Sequence, residues 1–207
     1  MRVFILILGS LVVNADLYGQ GVVNFTNGSG ASPEQRVYID EWMNPAALAP
    51  SGRQFLVALY FSPVSDSESA LTQAGAAAGF LGDPGTRTGI FTGGSRTVAT
   101  DYPGGSGFFQ VKGWEAAYGN TYEEAAANPA ARVGKSPVFI SDTADHSIPE
   151  RSVDLVEGSY PDRPFQGFVI AVPEPSIAMI GIGGIVALGL LGRVRKKNRP
   201  SCEIRLH

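Results

Sequence analysis

Side chains that can bind metals or transfer protons are concentrated between residues 142 and 146. Asp142, Asp145 and His146 combine carboxylates with an imidazole, which are common metal ligands and acid–base groups. Residues this close along one loop rarely converge on one ion unaided, and a solvated loop has the same composition. We therefore predict no metal site, no cofactor and no catalytic role for this segment.

Two other catalytic patterns are incomplete. A serine hydrolase would have to use His146, yet no serine lies in the Gly-X-Ser-X-Gly elbow that exposes such a nucleophile. Gly104-Gly105-Ser106-Gly107 is glycine-rich like a phosphate-binding loop, but the lysine and the following helix are missing. We interpret this run as a hairpin turn and predict that the protein is not an enzyme.

Aromatic rings are the remaining candidates for ligand contact, because such rings stack on sugars. Trp42 lies in a polar, proline-rich segment, which favours an exposed side chain. Trp114 ends an apolar run, so core or hinge packing is the favoured interpretation for it. Tyr118 and Tyr122 belong to the same class of candidates. Trp42 and Trp114 are thus the candidate contacts for an extracellular polysaccharide.

Short strands separated by turn-forming residues would have to position these side chains. The strongest signal is the continuous apolar run 54–61, which is typical of a strand buried on both faces. Further strands are predicted at 21–25, 89–91, 97–100, 108–114, 138–141 and 165–172. The pattern predicts a mainly β fold, a jelly-roll-like β-sandwich, for residues 20–172.

One short helix interrupts the predicted strands. Thr121 and Glu124 form a capping box, in which each side chain accepts a hydrogen bond from the other residue's backbone amide. Asn128-Pro129 is expected to end the helix, because the residue before a proline avoids helical geometry.

The charge distribution bears on the partners of the protein, and the cysteine content bears on how its body is stabilised. Residues 20–175 carry nine Lys/Arg against 17 Asp/Glu, whereas residues 176–207 carry six against one. An acidic body argues against nucleic acid as a partner, since phosphate contacts need clustered basic residues. Cys202 is the only cysteine, so the body has no disulfide and must be stabilised by its core.

The N-terminus has the layout of a secretory signal peptide, which we place at residues 1–19. Arg2 supplies the positive charge, and the apolar stretch 3–13 that follows is too short to span a membrane. Polar or small residues follow this apolar stretch, and we expect cleavage after Ala15 or after Gly19. The secretion translocon and signal peptidase are the partners that this segment predicts.

The C-terminus has three consecutive parts. Pro173, Glu174 and Pro175 precede an uncharged apolar run of 17 residues at 176–192, which is long enough for a transmembrane helix. A basic cluster occupies residues 193–199, and a tail follows at 200–207. The basic side chains of the cluster are Arg193, Arg195, Lys196, Lys197 and Arg199. Because basic flanks stay cytoplasmic, the body is expected to lie outside the membrane.

This order of motif, apolar span and basic cluster closely resembles the PEP-CTERM sorting domain, also catalogued as an ice-binding protein C-terminal domain. The resemblance covers residues 173–199 and implies processing by exosortase, a membrane enzyme thought to cut near the Pro-Glu-Pro and transfer the protein to a surface anchor. The family usually ends within the basic cluster, whereas this chain continues to His207. Exosortase and membrane lipid are the partners that the resemblance implies.

The body is similar to PEP-CTERM proteins of the Verrucomicrobia type. The matching segments are 20–25, 110–115 and 134–139, and the group implies no activity. We therefore predict a bacterial structural or matrix protein without catalytic activity. It would start as an inner-membrane precursor and end in the cell envelope, at the surface or in the extracellular matrix. A carbohydrate-binding surface module is the alternative, and an extracellular hydrolase is a more distant one.

Overall fold

Strand β3 (Gly52–Ser62) and strand β7 (Ser106–Glu115) pair antiparallel along most of their length and form the centre of the fold. The computed structural model describes residues 19–28, 31–81, 88–145 and 153–173. Within these residues the protein is mainly β with one α-helix. The remaining strands are β1 (Gly19–Thr26), β2 (Tyr38–Ile39), β4 (Thr72–Gln73), β5 (Ala78–Phe80), β6 (Thr92–Thr100), β8 (Val133–Lys135), β9 (Phe139–Asp142), β10 (Ala144–Asp145), β11 (Val153–Asp154) and β12 (Val169–Ile170).

The strands form two larger sheets and one small sheet. In the first, β1 pairs with β6 on one edge and with β10 and β11 on the other. In the second, β4 and β5 pair with β3, while β8 and β9 pair with β7. The small sheet is the parallel pair of β2 and β12. The paired sheets are consistent with the predicted sandwich.

The main core lies between the two larger sheets and is rich in phenylalanine. Phe25 of β1 contacts Phe91 with ring centroids 4.9 Å apart, and Phe61 contacts Phe109 at the same distance. Phe139 and Phe165 meet edge to face at 5.3 Å. Since each ring buries a large apolar area, this cluster provides a core without disulfides.

A second cluster covers the outer face of β3 and β7. Val57 and Leu59 point into the main core, whereas Leu56 and Ala58 belong to the outer cluster. The predicted burial of this strand on both faces is therefore confirmed. The outer cluster is completed by Tyr60, Leu71, Trp114, Ala125 and Ala131.

Helix α1 (Tyr122–Ala126) forms part of the cover over that outer cluster, with Ala125 buried. The Thr121 hydroxyl accepts from the Glu124 amide at 3.2 Å, and Glu124 accepts in return from the Thr121 amide. The capping box and the end of the helix before Pro129 are confirmed.

The predicted strand at 89–91 is wrong. Gly89 has a left-handed φ of +73°, and its amide bonds to the Ala49 carbonyl in a loop. Phe91 makes only a single bridge to Phe80. The apolar run reflects burial of Ile90 and Phe91 in the fold, not strand geometry.

The predicted strand at 165–172 is much shorter, since only Val169–Ile170 is strand. Phe165 and Phe168 fill the main core from a coil segment, and the Gly167 amide bonds to the Glu34 carbonyl. An apolar run thus marked a buried segment rather than a ladder of hydrogen bonds.

The glycine run at 104–107 is not a hairpin turn. It joins β6 and β7, which belong to different sheets and do not pair with each other. Gly104 has a φ of +74°, and the Gly105 amide bonds to the Tyr102 carbonyl in a tight turn. The turn therefore carries the chain from one sheet to the other.

Several predicted features lie outside the described residues. These are the signal peptide up to residue 18, Glu174, Pro175, the predicted span 176–192, the basic cluster 193–199 and the tail. Within the part of the chain that is described, no helix combines the length and apolar character needed to cross a membrane.

Candidate functional site

The loop after β2 exposes Trp42 and Met43. Their side chains are 44% and 41% exposed, whereas most large apolar side chains of the described body are buried. The Trp42 ring lies 5.3 Å from the Tyr38 ring at an angle of 54°, so one contact holds the indole while much of it faces solvent. The Trp42 side chain is thus exposed, as its polar, proline-rich surroundings in the sequence predict.

The backbone of this loop is strained at two positions. Asp40 and Met43 adopt left-handed φ values of +63° and +60°, which cost roughly 1–2 kcal/mol for residues other than glycine. The Glu41 amide bonds to the Ile39 carbonyl at 2.7 Å, which closes a three-residue turn around Asp40. The Asp40 amide donates to the Ile170 carbonyl of β12 at 3.0 Å, which ties this turn to the small sheet.

Polar groups lie on both sides of Trp42 in the sequence. The Arg132 Nε lies 3.6 Å from Asp40 Oδ1, and Asn44 Nδ2 donates to Glu41 Oε2 at 2.7 Å. Asn44 Oδ1 also accepts from the Ala46 amide, which caps the short 3₁₀ turn Pro45–Ala47. The residues that flank Trp42 in the sequence therefore carry both hydrogen-bond donors and acceptors, and Arg132 adds a donor from outside the loop.

An open cleft of about 410 Å³ adjoins these groups. Its lining combines the carboxylate-bearing end of β2 with the apolar residues after the 3₁₀ turn: Ile39, Asp40, Glu41, Ala46, Ala47, Leu48 and Pro50. The cleft is thus an open recess lined by apolar side chains and two carboxylates.

Trp114 occupies a different environment. Its side chain is fully buried in the outer cluster, and its Nε1 donates to the Gly119 carbonyl at 3.0 Å. Tyr118 and Tyr122 pack against the same cluster. Trp114 is therefore a core residue and Trp42 is a surface residue. Of the two, only Trp42 can contact a ligand in this structure.

The described part of the acidic segment, residues 142–145, lies at the end of β9 and in β10. Asp142 ends β9 and accepts a hydrogen bond from the Tyr160 hydroxyl at 2.9 Å, and Thr143 donates to the Gly105 carbonyl. Asp145 belongs to β10, whereas His146 lies outside the described residues. No group of three metal-binding side chains occurs among the residues that the structure describes.

A buried charged cluster lies on the outer face of β3 and β7 and was not predicted from the sequence. Lys112 is 6% exposed, and its Nζ lies 4.1 Å from the Tyr60 ring centroid and 3.6 Å from Glu123 Oε1. The Tyr60 hydroxyl donates to both Glu123 oxygens at 2.8 and 2.9 Å. Glu68 lies 3.8 Å from Lys112 and also pairs with Lys135. The only signal in the sequence was a lysine within the mainly apolar run 108–114.

This cluster joins α1 to the central strands. A buried lysine needs compensating partners, and here two carboxylates and an aromatic face supply them. Since Glu123 belongs to α1 and Tyr60 to β3, the arrangement fixes the helix against the sheet. We assign it a structural role.

The cluster predicts a loss of stability at alkaline pH. Burial raises the pKa of Tyr60, and the hydrogen bond to Glu123 raises that pKa further. Because the folded state then holds the phenolic proton more tightly than the unfolded state, stability from this group is complete below about pH 10 and falls above it. The free energy of unfolding of the full-length chain in detergent should therefore decline as the pH rises from about 10 to 12.

The variant Tyr60→Phe isolates this contribution, because phenylalanine cannot ionise. Its free energy of unfolding in urea should depend less steeply on pH over the same interval, although it starts lower for lack of the bond to Glu123. Tyr102→Phe, which changes an exposed tyrosine, is the matched control and should retain the native slope. Equal slopes for Tyr60→Phe and the native chain would contradict the assignment.

Comparison with known proteins gave no matching family, no similar curated protein and no similar solved structure.

Proposed function

We propose that this chain is an exported structural or matrix protein without catalytic activity, held in the membrane or at the cell surface through a PEP-CTERM signal. The observation that carries the proposal is the order of Pro173-Glu174-Pro175, the apolar run 176–192 and the basic cluster 193–199. Exosortase is the processing partner, and the secretion translocon and signal peptidase act before it.

The end of the body supports a mechanical role. Ala171 exchanges both backbone hydrogen bonds with Val133, at 3.0 and 3.1 Å, and Val169–Ile170 pairs with β2. Pro173 follows two residues later and is exposed. A pulling force on the anchor would therefore be transmitted to the second sheet through backbone hydrogen bonds that lie within a few residues of Pro173.

The proline pair suits a processing site. Neither proline has an amide to donate, and both restrict the segment to extended geometry, so the motif stays off the following helix. Glu174 carries a charge that resists entry into the bilayer, and the basic cluster resists export. These properties support a position of the motif at the outer membrane–water boundary.

At the other end, signal-peptide cleavage after Ala15 fits the body better than cleavage after Gly19. Gly19 pairs with Thr100 in β1, and an added Cβ there would lie 2.2 Å from the Tyr102 carbonyl carbon. Cleavage after Ala15 leaves this strand residue in the mature protein. For the body itself, the two packed sheets support a sandwich of jelly-roll type.

Loss of the C-terminus tests the sorting proposal. A chain with a C-terminal epitope tag should lose the tag in a host that has the matching exosortase and keep it in a host that lacks the enzyme. Intact-mass measurement of the membrane and surface fractions locates the cut near residues 173–175.

The matched control replaces Pro173, Glu174 and Pro175 together by alanine and leaves the span and basic cluster unchanged. This variant should keep its tag in both hosts and remain in the inner membrane. If the native tail survives equally in both hosts, the chain is an ordinary single-span membrane protein.

A further inference from the structure

We propose that the Trp42 loop is a binding platform for a neutral polysaccharide. The ligand's pyranose rings stack on the Trp42 indole, while their hydroxyls bond to the neighbouring polar side chains. This inference names the extracellular partner of the protein and rests on the proposed export, because matrix polysaccharide lies outside the cell.

The Trp42 indole is exposed. Trp42 and Met43 together present apolar surface at the tip of one loop, with no described segment covering it. An aromatic face is electron-rich and attracts the C–H bonds of a sugar ring, and tryptophan is among the residues enriched in binding hot spots. The contact with Tyr38 holds the ring in place, so little side-chain entropy is lost on binding.

Hydrogen-bonding side chains flank Trp42 in the sequence. Asp40 and Glu41 can each accept hydrogen bonds from hydroxyls, while Asn44, and Arg132 beside Asp40, can donate to them. Sugar hydroxyls both donate and accept, which matches this mixture. Asp40 and Glu41 also line the open cleft of about 410 Å³, which gives room for a further sugar unit of the same chain.

The charges of these side chains bear on the choice between sugars and other ligands. Arg132 compensates the Asp40 carboxylate, which weakens the attraction of this site for a cation such as a quaternary ammonium. The Glu41 carboxylate accepts from the neutral Asn44 amide and keeps its charge, so it repels an acidic sugar. The arrangement therefore favours an uncharged sugar, whose hydroxyls can join the existing hydrogen bonds.

The Trp42 loop is held rigid at two strained positions, Asp40 and Met43. Two left-handed non-glycine residues in one loop persist only when the surroundings hold them, and such strain is concentrated at ligand sites. Here the Asp40 amide is bound to Ile170, and the Tyr38 hydroxyl donates to the Pro33 carbonyl at 3.0 Å. The platform is therefore preorganised on the small sheet.

This placement also links the ligand to the anchor. The residue that holds the Asp40 turn, Ile170, precedes Pro173 by only three residues. Force applied to a bound polysaccharide would pass through β2 and β12 to the anchored end. That is the arrangement expected of a link between cell surface and matrix.

The test measures binding of the full-length chain in a zwitterionic detergent that has no sugar headgroup. The probes are an array of neutral α- and β-linked hexose oligosaccharides, with acidic oligosaccharides and choline as separate arms. Neutral oligosaccharides should bind and change the fluorescence of the exposed Trp42. Trp42→Ala should weaken this binding at least tenfold while its melting temperature stays within a few degrees of the native value.

Tyr102→Ala is the matched control, since Tyr102 is an exposed aromatic residue on another loop and is 61% exposed. It should bind like the native chain. The proposal is overturned if the folded native chain binds none of the neutral oligosaccharides, if Trp42→Ala binds them undiminished, or if choline alone binds. Tail removal by exosortase does not involve Trp42, so each of these results leaves the sorting proposal standing.

Discussion

Trp114→Ala should reduce the free energy of unfolding by about 3–5 kcal/mol, the usual cost of replacing a buried tryptophan by alanine. The side chain is fully buried between Leu56, Ala125 and Ala131, so its removal leaves a cavity that the packed sheet cannot fill. The Gly119 carbonyl also loses the hydrogen bond from Nε1. For a chain of this size the melting temperature should fall by roughly 6–20 °C.

Far-UV circular dichroism of the full-length chain in detergent measures this effect without relying on tryptophan fluorescence. Trp42→Ala is the matched control, because it removes the same side chain from an exposed site and should shift the melting temperature by only a few degrees. Similar shifts for the two variants would contradict the core role of Trp114. A native melting temperature combined with lost saccharide binding in Trp114→Ala would favour a ligand role instead.

Gly134→Ala should destabilise the protein by about 3 kcal/mol or more, at the upper end of what overpacking costs. An added Cβ at Gly134 would lie 2.0 Å from the Val169 carbonyl oxygen and 2.8 Å from its carbon. Backbone atoms cannot rotate away as a flexible side chain can. The segment carrying β12 would therefore have to move off the sheet.

The same close approach explains a pair of glycines in the second sheet. Gly134 of β8 is paired with Gly113 of β7, where a Cβ would lie 2.8 Å from Ile170 Cδ1. Side chains at these two positions would lift Phe168 and Ile170 out of the core. In Gly134→Ala, hydrogen exchange at the amides of Val133 and Ala171 should therefore become faster, since their mutual bonds depend on this packing.

Gly94→Ala is the control for the backbone effect alone. Gly94 has a φ of +73° with open space around it, so alanine there meets only the left-handed strain, roughly 1–2 kcal/mol. Destabilisation of Gly134→Ala no greater than that of Gly94→Ala would show that β12 does not pack as closely as the structure has it. Melting temperatures of both variants in the same detergent decide this.

Local signals predicted part of the fold correctly. The strand from 52 to 62 is evident as an apolar run because both of its faces are covered, and the strand from 106 to 115 follows the same pattern. The helix start at Thr121 is encoded by two residues three positions apart. In each of these elements the signal is local. It lies either in capping residues close together in the sequence or in the apolar character of the segment itself.

Long-range contacts account for the predictions that were wrong. Residues 89–91 and 165–168 are as apolar as strands, but their backbone groups bond to distant loop residues such as Ala49 and Glu34. The turn at 104–107 has hairpin composition, yet the strands that it joins belong to different sheets. The hydropathy of a segment predicts whether it is buried. Whether it pairs as a strand depends on which other segment of the folded chain lies next to it.

The sequence by itself determined a mainly β body with a capped helix, an exposed Trp42 and a buried Trp114, because hydropathy and capping act over a few residues. Only the tertiary structure decided the arrangement around these elements. It placed Lys112 between Tyr60 and Glu123, which are separated from it by many residues, and it tied the strained Asp40 turn to Ile170. A buried charge and a left-handed backbone are each unfavourable alone, so they occur only where distant residues supply the compensating contacts.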